Sequence, residues 1–366
     1  MQPDHILDPR GEVILLVRNS NSPFAPWTDE GTIPEASGYS YGHRLDLLEL
    51  SSNSSSPEET EQDDKEDKEE EDKEIRIQVS ARHLTLGSPF FNSMLSNTWK
   101  EGKEFQANGR IELVIDGWDI EALLVVMHII HAQLDKVPRS LDVELLAKVA
   151  AIADYYSVDA VKFFGRIWMP GCGSAQLVMT KDSRGLLLWV WASYYFKDAR
   201  GFRDSTVHCL HQHKGPISSL GLPIPGAIID TMNQRRNREL SFLVDRIYTV
   251  RERLAAMAEE QTALFCNEAC NALKLGALLR AMRKVNLFYD KPQPPYPGLR
   301  YMDVWNMTCF YTPPGLIEKE KETGEYLMHE CPRACAEDMI FEGGQMRGLS
   351  LEDFSENGLS GEDVIW

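Results

Sequence analysis

Positive charge, cysteine and long apolar runs are all scarce in this chain of 366 residues, and each scarcity excludes something. Lys and Arg number 38 against 56 Asp and Glu, for a net charge of −18. A phosphate backbone rewards basic residues, so no direct nucleic-acid contact is expected. The seven cysteines, Cys172, Cys209, Cys266, Cys270, Cys309, Cys331 and Cys335, are odd in number and widely dispersed, unlike the dense framework of a secreted disulfide scaffold. At the amino terminus the apolar run Val13–Val17 follows Asp8 and Glu12 and is too short for a secretory signal. The uncharged apolar stretch Ala122–Leu134 includes His128 and His131 and falls well short of the roughly 20 residues that cross a bilayer. Together these features point to a soluble intracellular protein, cytoplasmic or nuclear, without membrane contact.

Catalytic signatures are missing as well. There is no Gly-x-x-x-x-Gly-Lys-Ser/Thr loop, no strand-linked Gly-x-Gly-x-x-Gly, no His-Glu-x-x-His and no Gly-x-Ser-x-Gly elbow. Lone histidines and carboxylates do not define a site. The expectation is a protein that is not an enzyme.

What is present is a strand-helix-strand-helix order from Ile75 to His131. Ile75, Ile77 and Val79 alternate with Arg76 and Gln78, the period of a half-buried strand. Leu84, Leu86, Phe90, Phe91, Met94 and Leu95 then fall mainly at helical spacing, and Ser88-Pro89 can start a fresh turn because proline suits a first helical position. Arg110–Asp116 returns to alternation, and Trp118–Leu134 reads as a long apolar helix.

Five segments in this order resemble the BTB/POZ domain in the version common in filamentous fungi. They are Gly11–Val17 (GEVILLV), Val79–Leu95 (VSARHLTLGSPFFNSML), Ile111–Asp116 (IELVID), Glu121–His131 (EALLVVMHIIH) and the stretch from Val137-Pro138-Arg139 to Trp168. Ser88-Pro89-Phe90-Phe91 is the most specific piece. The resemblance implies an α+β fold over 11–169, a helix cluster with a small sheet in which the Gly11 and Ile75 strands are neighbours, preceded by a tail at 1–10. It implies protein–protein association: self-association, or duty as an adaptor for a cullin-type ubiquitin ligase. The alternatives are a transcription or chromatin-associated regulator that oligomerises through the same domain, and an enzyme of unrecognised type.

Between those two strands lies an insertion, 18–73, that reads as disordered. Twelve acidic residues and three lysines fall between Pro57 and Glu74, which is −9 of the total −18. Such a segment buries too little apolar surface to offset chain entropy. A long loop is tolerable between paired strands, since each doubling of its length costs only about 0.6 kcal/mol. Ser55 and Ser56 each have a glutamate three residues on, the pattern of an acid-directed phosphorylation site.

Beyond Pro170 the chain reads as a mainly α-helical domain, 175–290. Helices are expected at Asp182–Phe196, apolar nearly all round, at Phe202–His213, at Ala227–Glu260 and at Cys266–Phe288. The Arg235-Arg236-Asn237-Arg238 cluster reads as a solvated helix face, with a nuclear-import patch as the alternative. Likewise His208, Cys209, His211 and His213 read as a surface cluster at a helix end, with metal binding as the alternative. Lys291–Gly298 is a proline-rich stiff connector opening an extension over 291–340, and 341–366 is an acidic flexible tail.

This half is similar to the region after the BTB domain in fungal relatives, on Cys266-Asn-Glu-Ala-Cys270, on Ala272–Leu279 (ALKLGALL) and on His329-Glu-Cys331. Residues four apart on a helix share a face, so Cys266 and Cys270 can present two thiolates to one ion. His329 and Cys331 would complete a structural zinc site, with Cys309 or Cys335 as substitutes. The competing reading is cysteines that pack in a core with no cofactor at all.

Overall fold

A computed structural model of the chain describes residues 2–27, 74–171, 183–256, 268–310, 317–319, 326–328 and 346–354. It is α+β, with eleven helices and a four-stranded sheet among the described residues. The chain divides into two compact units, one on the described residues of Met1–Pro26 and Pro34–Cys172, the other on those of Gly173–Leu220 and Ile224–Trp366. No helix among the described residues is long and apolar enough to cross a membrane.

The first unit is organised by β1 (His5–Ile6), β2 (Val13–Arg18), β3 (Ile75–Val79) and β4 (Ile111–Asp116), in the sheet order β1-β3-β2-β4. β2 runs antiparallel to β3, with Val13 opposite Val79, and parallel to β4, with Val13 opposite Ile111. Its residues Val13, Leu15, Leu16 and Val17 are all buried, the continuous apolar run of a central strand. β4, at the edge, alternates: Ile111, Leu113 and Ile115 point inward, Glu112, Val114 and Asp116 outward. The two strands that flank the acidic segment are therefore direct neighbours.

Two boundaries differ from expectation. Residues 1–10 are not a tail, because His5 and Ile6 pair in parallel with Ile77 and Gln78 and Leu7 is buried. Nor does disorder begin at 18. The Asn19 side chain donates to Asp116 at 2.7 Å, Asn21 accepts from the Ile120 backbone N–H at 3.1 Å, and Phe24 and Ala25 are buried. Asn19 and Asn21 both have positive φ, a conformation that asparagine tolerates better than most residues, and this lets the chain turn back onto the β4 end. The remainder of the insertion, 28–73, lies outside the described residues.

After β3 the chain enters α1 (Ala81–Gly87) and then α2 (Pro89–Met94), split at the expected Ser88-Pro89 step. The Ser88 hydroxyl accepts from the Phe91 N–H at 3.1 Å and donates to the Tyr156 carbonyl, so one side chain caps α2 and fastens it to a later helix. The polar helix α3 (Lys100–Asn108), which periodicity does not indicate, ends at Gly109 in the left-handed conformation. α4 (Ile120–Ile130) is shorter than the expected Trp118–Leu134, since Asp119 caps it by accepting from Ala122 N–H at 3.0 Å and Ala132 reverses the chain with positive φ. Trp118 stays outside the helix, buried, donating to the Tyr156 hydroxyl at 3.1 Å. α5 (Val143–Tyr155) and α6 (Ala160–Gly171) complete the unit. Phe91 stacks on Tyr156 at 4.8 Å, so the Ser-Pro-Phe-Phe segment is anchored by polar and apolar contacts to the same residue.

The second unit contains α7 (Ser183–Tyr195), α8 (Ala199–Gln212), α9 (Gly226–Ala256), α10 (Glu268–Lys284) and α11 (Tyr301–Phe310), with a short antiparallel pair, β5 (Ile317–Lys319) and β6 (Tyr326–Met328). α7 is buried on nearly every side, as its composition requires. α11 packs against α9 and α8, so residues 301–310 join the helical body.

The arginine cluster on α9 is not a uniformly solvated face, because only Arg238 of its three arginines is exposed. Arg236 is fully buried and donates to the carbonyls of Pro295 (2.8 Å), Tyr296 (3.2 Å) and Leu299 (2.7 Å). Those bonds hold the proline-rich segment in a turn with Tyr296 buried, where an extended connector was expected. Arg235 donates to the carbonyls of Arg347 (3.0 Å) and Gly348 (3.1 Å), and Arg238 pairs with Glu239. Residues 346–354 are consequently docked, with Met346 and Leu349 buried, where a flexible tail was expected.

Candidate interaction surface

Among the described residues of the first unit, α6 carries a pair of exposed large apolar side chains at helical spacing. Its inner face is fixed: Val161 and Trp168 are fully buried, Trp168 donates to the Pro138 carbonyl at 2.9 Å, and Phe164 stacks on Trp168 at 5.3 Å. Phe163 and Ile167, four residues apart and so on one face, remain 66% and 48% exposed. Lys162 and Arg166 are exposed beside them, with Lys162 paired to Asp159 at 2.7 Å. An apolar centre flanked by guanidinium and ammonium groups is suited to a partner surface that is apolar with acidic margins. Leu86 on α1 (78% exposed) and Val114 on β4 (58%) are further exposed apolar residues of this unit.

Of the expected zinc ligands, Cys266, His329, Cys331 and Cys335 lie outside the described residues, as does the side chain of Cys309. Cys309 is carried on α11, and β6 ends one residue before His329. Cys270 is fully buried on α10. Among the described residues no group of three His, Cys, Asp or Glu side chains is placed to hold a metal ion.

The His208–His213 segment is not the expected surface cluster. Cys209 is fully buried, and burial pushes its thiol up to about 12 against the opposing pull of the Arg236 charge. His213 is 3% exposed, with Nδ1 bonded to the Gly215 carbonyl at 3.1 Å and Nε2 buried without a partner; burial brings it down to about 4. His211 stacks on Tyr301 at 5.3 Å and is likewise brought down to about 4 by burial. Both rings are neutral packing elements at neutral pH.

In the first unit His131 serves a comparable purpose. Its Nδ1 bonds the Met127 carbonyl at 2.8 Å, which leaves Nε2 to accept from the Ser80 N–H at 3.0 Å, at the start of α1. Burial lowers its pKa and favours that neutral tautomer. A small cavity is lined by Ser22, Phe24, Trp118, Asp119, Lys148 and Ile152. Its polar groups are engaged with one another: Lys148 meets Asp119 at 2.8 Å and Glu144 at 3.2 Å. Burial works against the Lys148 charge, but the two carboxylates outweigh it and hold the ammonium above the ordinary lysine range.

Neither α6 nor α8 could have been interpreted from composition alone. Phe163 and Ile167 are indistinguishable from core residues in the sequence, and only the burial of Val161 and Trp168 decides which face is left outside. Compared with known protein families, curated proteins and solved structures, the chain matches none.

Proposed function

We propose that this chain is a non-catalytic protein-interaction protein whose first unit is a BTB/POZ-type module. The observation that supports this most is the topology across the insertion. β2 and β3, separated by more than fifty residues, are antiparallel neighbours, and the Ser88-capped helix pair leads on to β4 parallel to β2. That is the small sheet with a helix cluster that the five-segment resemblance calls for. The α6 stripe of Phe163 and Ile167 flanked by Lys162 and Arg166 supplies an apolar, basic-rimmed surface for a protein partner.

Within that reading the protein self-associates or serves as an intracellular adaptor for a cullin-type ubiquitin ligase, with the second unit or the acidic segment engaging a client. Arg235 and Arg236 donate to internal carbonyls, which leaves Arg238 as the exposed arginine of that cluster. Affinity purification of the tagged chain with mass spectrometry tests the adaptor reading, and a cullin among the reproducible partners is the expected result. Repeated absence of any cullin beside a clean self-association signal would sink it. Phe163→Asp with Ile167→Asp tests the surface, and the partner set should shrink while the circular dichroism spectrum stays unchanged.

A further inference from the structure

We infer that the surface of α8 and α9 holding residues 346–354 is a peptide-recognition site, and that this segment is its in-chain occupant. The ligand class is an extended peptide with an obligatory glycine followed immediately by a buried aliphatic residue. The inference concerns the second unit alone and stands whatever the first unit binds.

The contacts are those of main-chain recognition. Arg235 donates to the carbonyls of Arg347 and Gly348, and the Leu349 N–H donates to Thr206 Oγ1 at 2.9 Å. Thr206 uses its own hydroxyl proton within α8, toward the Phe202 and Arg203 carbonyls, so its oxygen faces the segment as an acceptor and selects an N–H. Together α8 and α9 bond the backbone of three consecutive residues, Arg347, Gly348 and Leu349. Side chains supply the apolar part: Met346 and Leu349 are buried, and the Phe354 ring meets Phe202 at 6.3 Å.

Glycine is selected by contact. A Cβ on residue 348 would lie 2.0 Å from the Arg203 carbonyl oxygen, a backbone atom that cannot rotate away. Residues 346–350 form no helix or strand of their own, so the surface and not internal structure holds the segment. A short segment that is recognised through its backbone, one glycine and two apolar side chains has the features of a ligand. Another extended peptide of the same pattern can replace it.

The test uses the full chain carrying Gly348→Val, which should expel its own segment and leave the site vacant. A fluorescent peptide of residues 344–355 should bind this variant saturably in fluorescence anisotropy and bind the natural chain at least tenfold more weakly. The same peptide carrying Gly348→Val should not bind, and adding Arg235→Gln to the vacant chain should weaken binding at least tenfold. A folded Gly348→Val chain that ignores the peptide, or equal binding by the two chains, overturns the inference. Should that variant not fold, a protease site inserted at Gly343 lets the segment be severed in the folded natural chain. Excess labelled peptide should then exchange into it. Unfolding on severance, or no exchange within a day, would make the segment part of the core and overturn the inference as well.

Discussion

Replacing Arg236 by methionine should destabilise the helical unit by about 1–6 kcal/mol. The guanidinium makes three bonds to the carbonyls of Pro295, Tyr296 and Leu299, and is itself buried. A hydrogen bond to a charged group is worth roughly 1.5–3 kcal/mol, so the gross loss is about 4–9 kcal/mol. Against this stands the cost of burying the cation. Burial brings Arg236 down to about 10 from 12.5, and at 1.36 kcal/mol per pKa unit its removal gives back roughly 3 kcal/mol. Methionine fills most of the volume, so the difference is set by the stranded carbonyls. Arg236→Lys should fare little better, because an ammonium on a shorter stem cannot reach carbonyls from residues 295 to 299 with one planar fork.

Urea unfolding followed by circular dichroism measures the loss, and trypsin reports its location. The Arg300–Tyr301 bond should become the first site cut once the segment at 294–299 is released. A methionine variant within 0.5 kcal/mol of the natural chain, with that bond still protected, would refute the assignment of Arg236 as the group that holds this turn.

Acid should also loosen the second unit. His213 is brought down to about 4 in the folded chain, so between pH 6.5 and 4 the unfolded chain takes up a proton that the folded chain refuses. Stability therefore falls as pH drops through that window, by on the order of 3 kcal/mol for His213, and levels off below it. Thermal melts from pH 7.5 to 4.5 should show the fall, and His213→Asn, which cannot take up the proton, should flatten part of it. In the first unit, Gly102→Ala ought to stabilise α3 by up to about 1 kcal/mol if helix propensity decided the matter. The opposite sign is expected, a loss of about 1–3 kcal/mol by chemical denaturation, because the new Cβ would lie 1.6 Å from the Ser96 carbonyl oxygen.

The elements legible in the sequence are those whose own residues settle their environment. β3 and β4 alternate, α7 is apolar all round, and Ser88-Pro89 carries both the cap and the first-turn proline that split α1 from α2. Illegible are those whose state is decided by chain arriving from far away. α3 buries only Gly102 and so has no apolar stripe to betray it. β1 is two residues long and exists because β3 offers it an edge. Of the candidate metal site, only the buried thiol of Cys270 is placed, so the spacing of Cys266 and Cys270 remains the argument for that pair.

The arginine cluster is the sharpest case. Three arginines in four helical residues look solvated because burying a guanidinium without compensation is prohibitive. What reverses the balance is not a carboxylate, which a charge pattern could have suggested, but main-chain carbonyls. Arg236 receives them from residues 295, 296 and 299, where prolines limit the competing N–H donors, and Arg235 receives them from residues 347 and 348, where glycine lets the backbone come close. Carbonyls are present at every residue and leave no mark in a sequence. A basic cluster on one helix, with a proline-rich and a glycine-containing segment far downstream, is therefore as compatible with internal fastening as with binding, and the two are told apart by whether the guanidinium or the solvent satisfies those carbonyls.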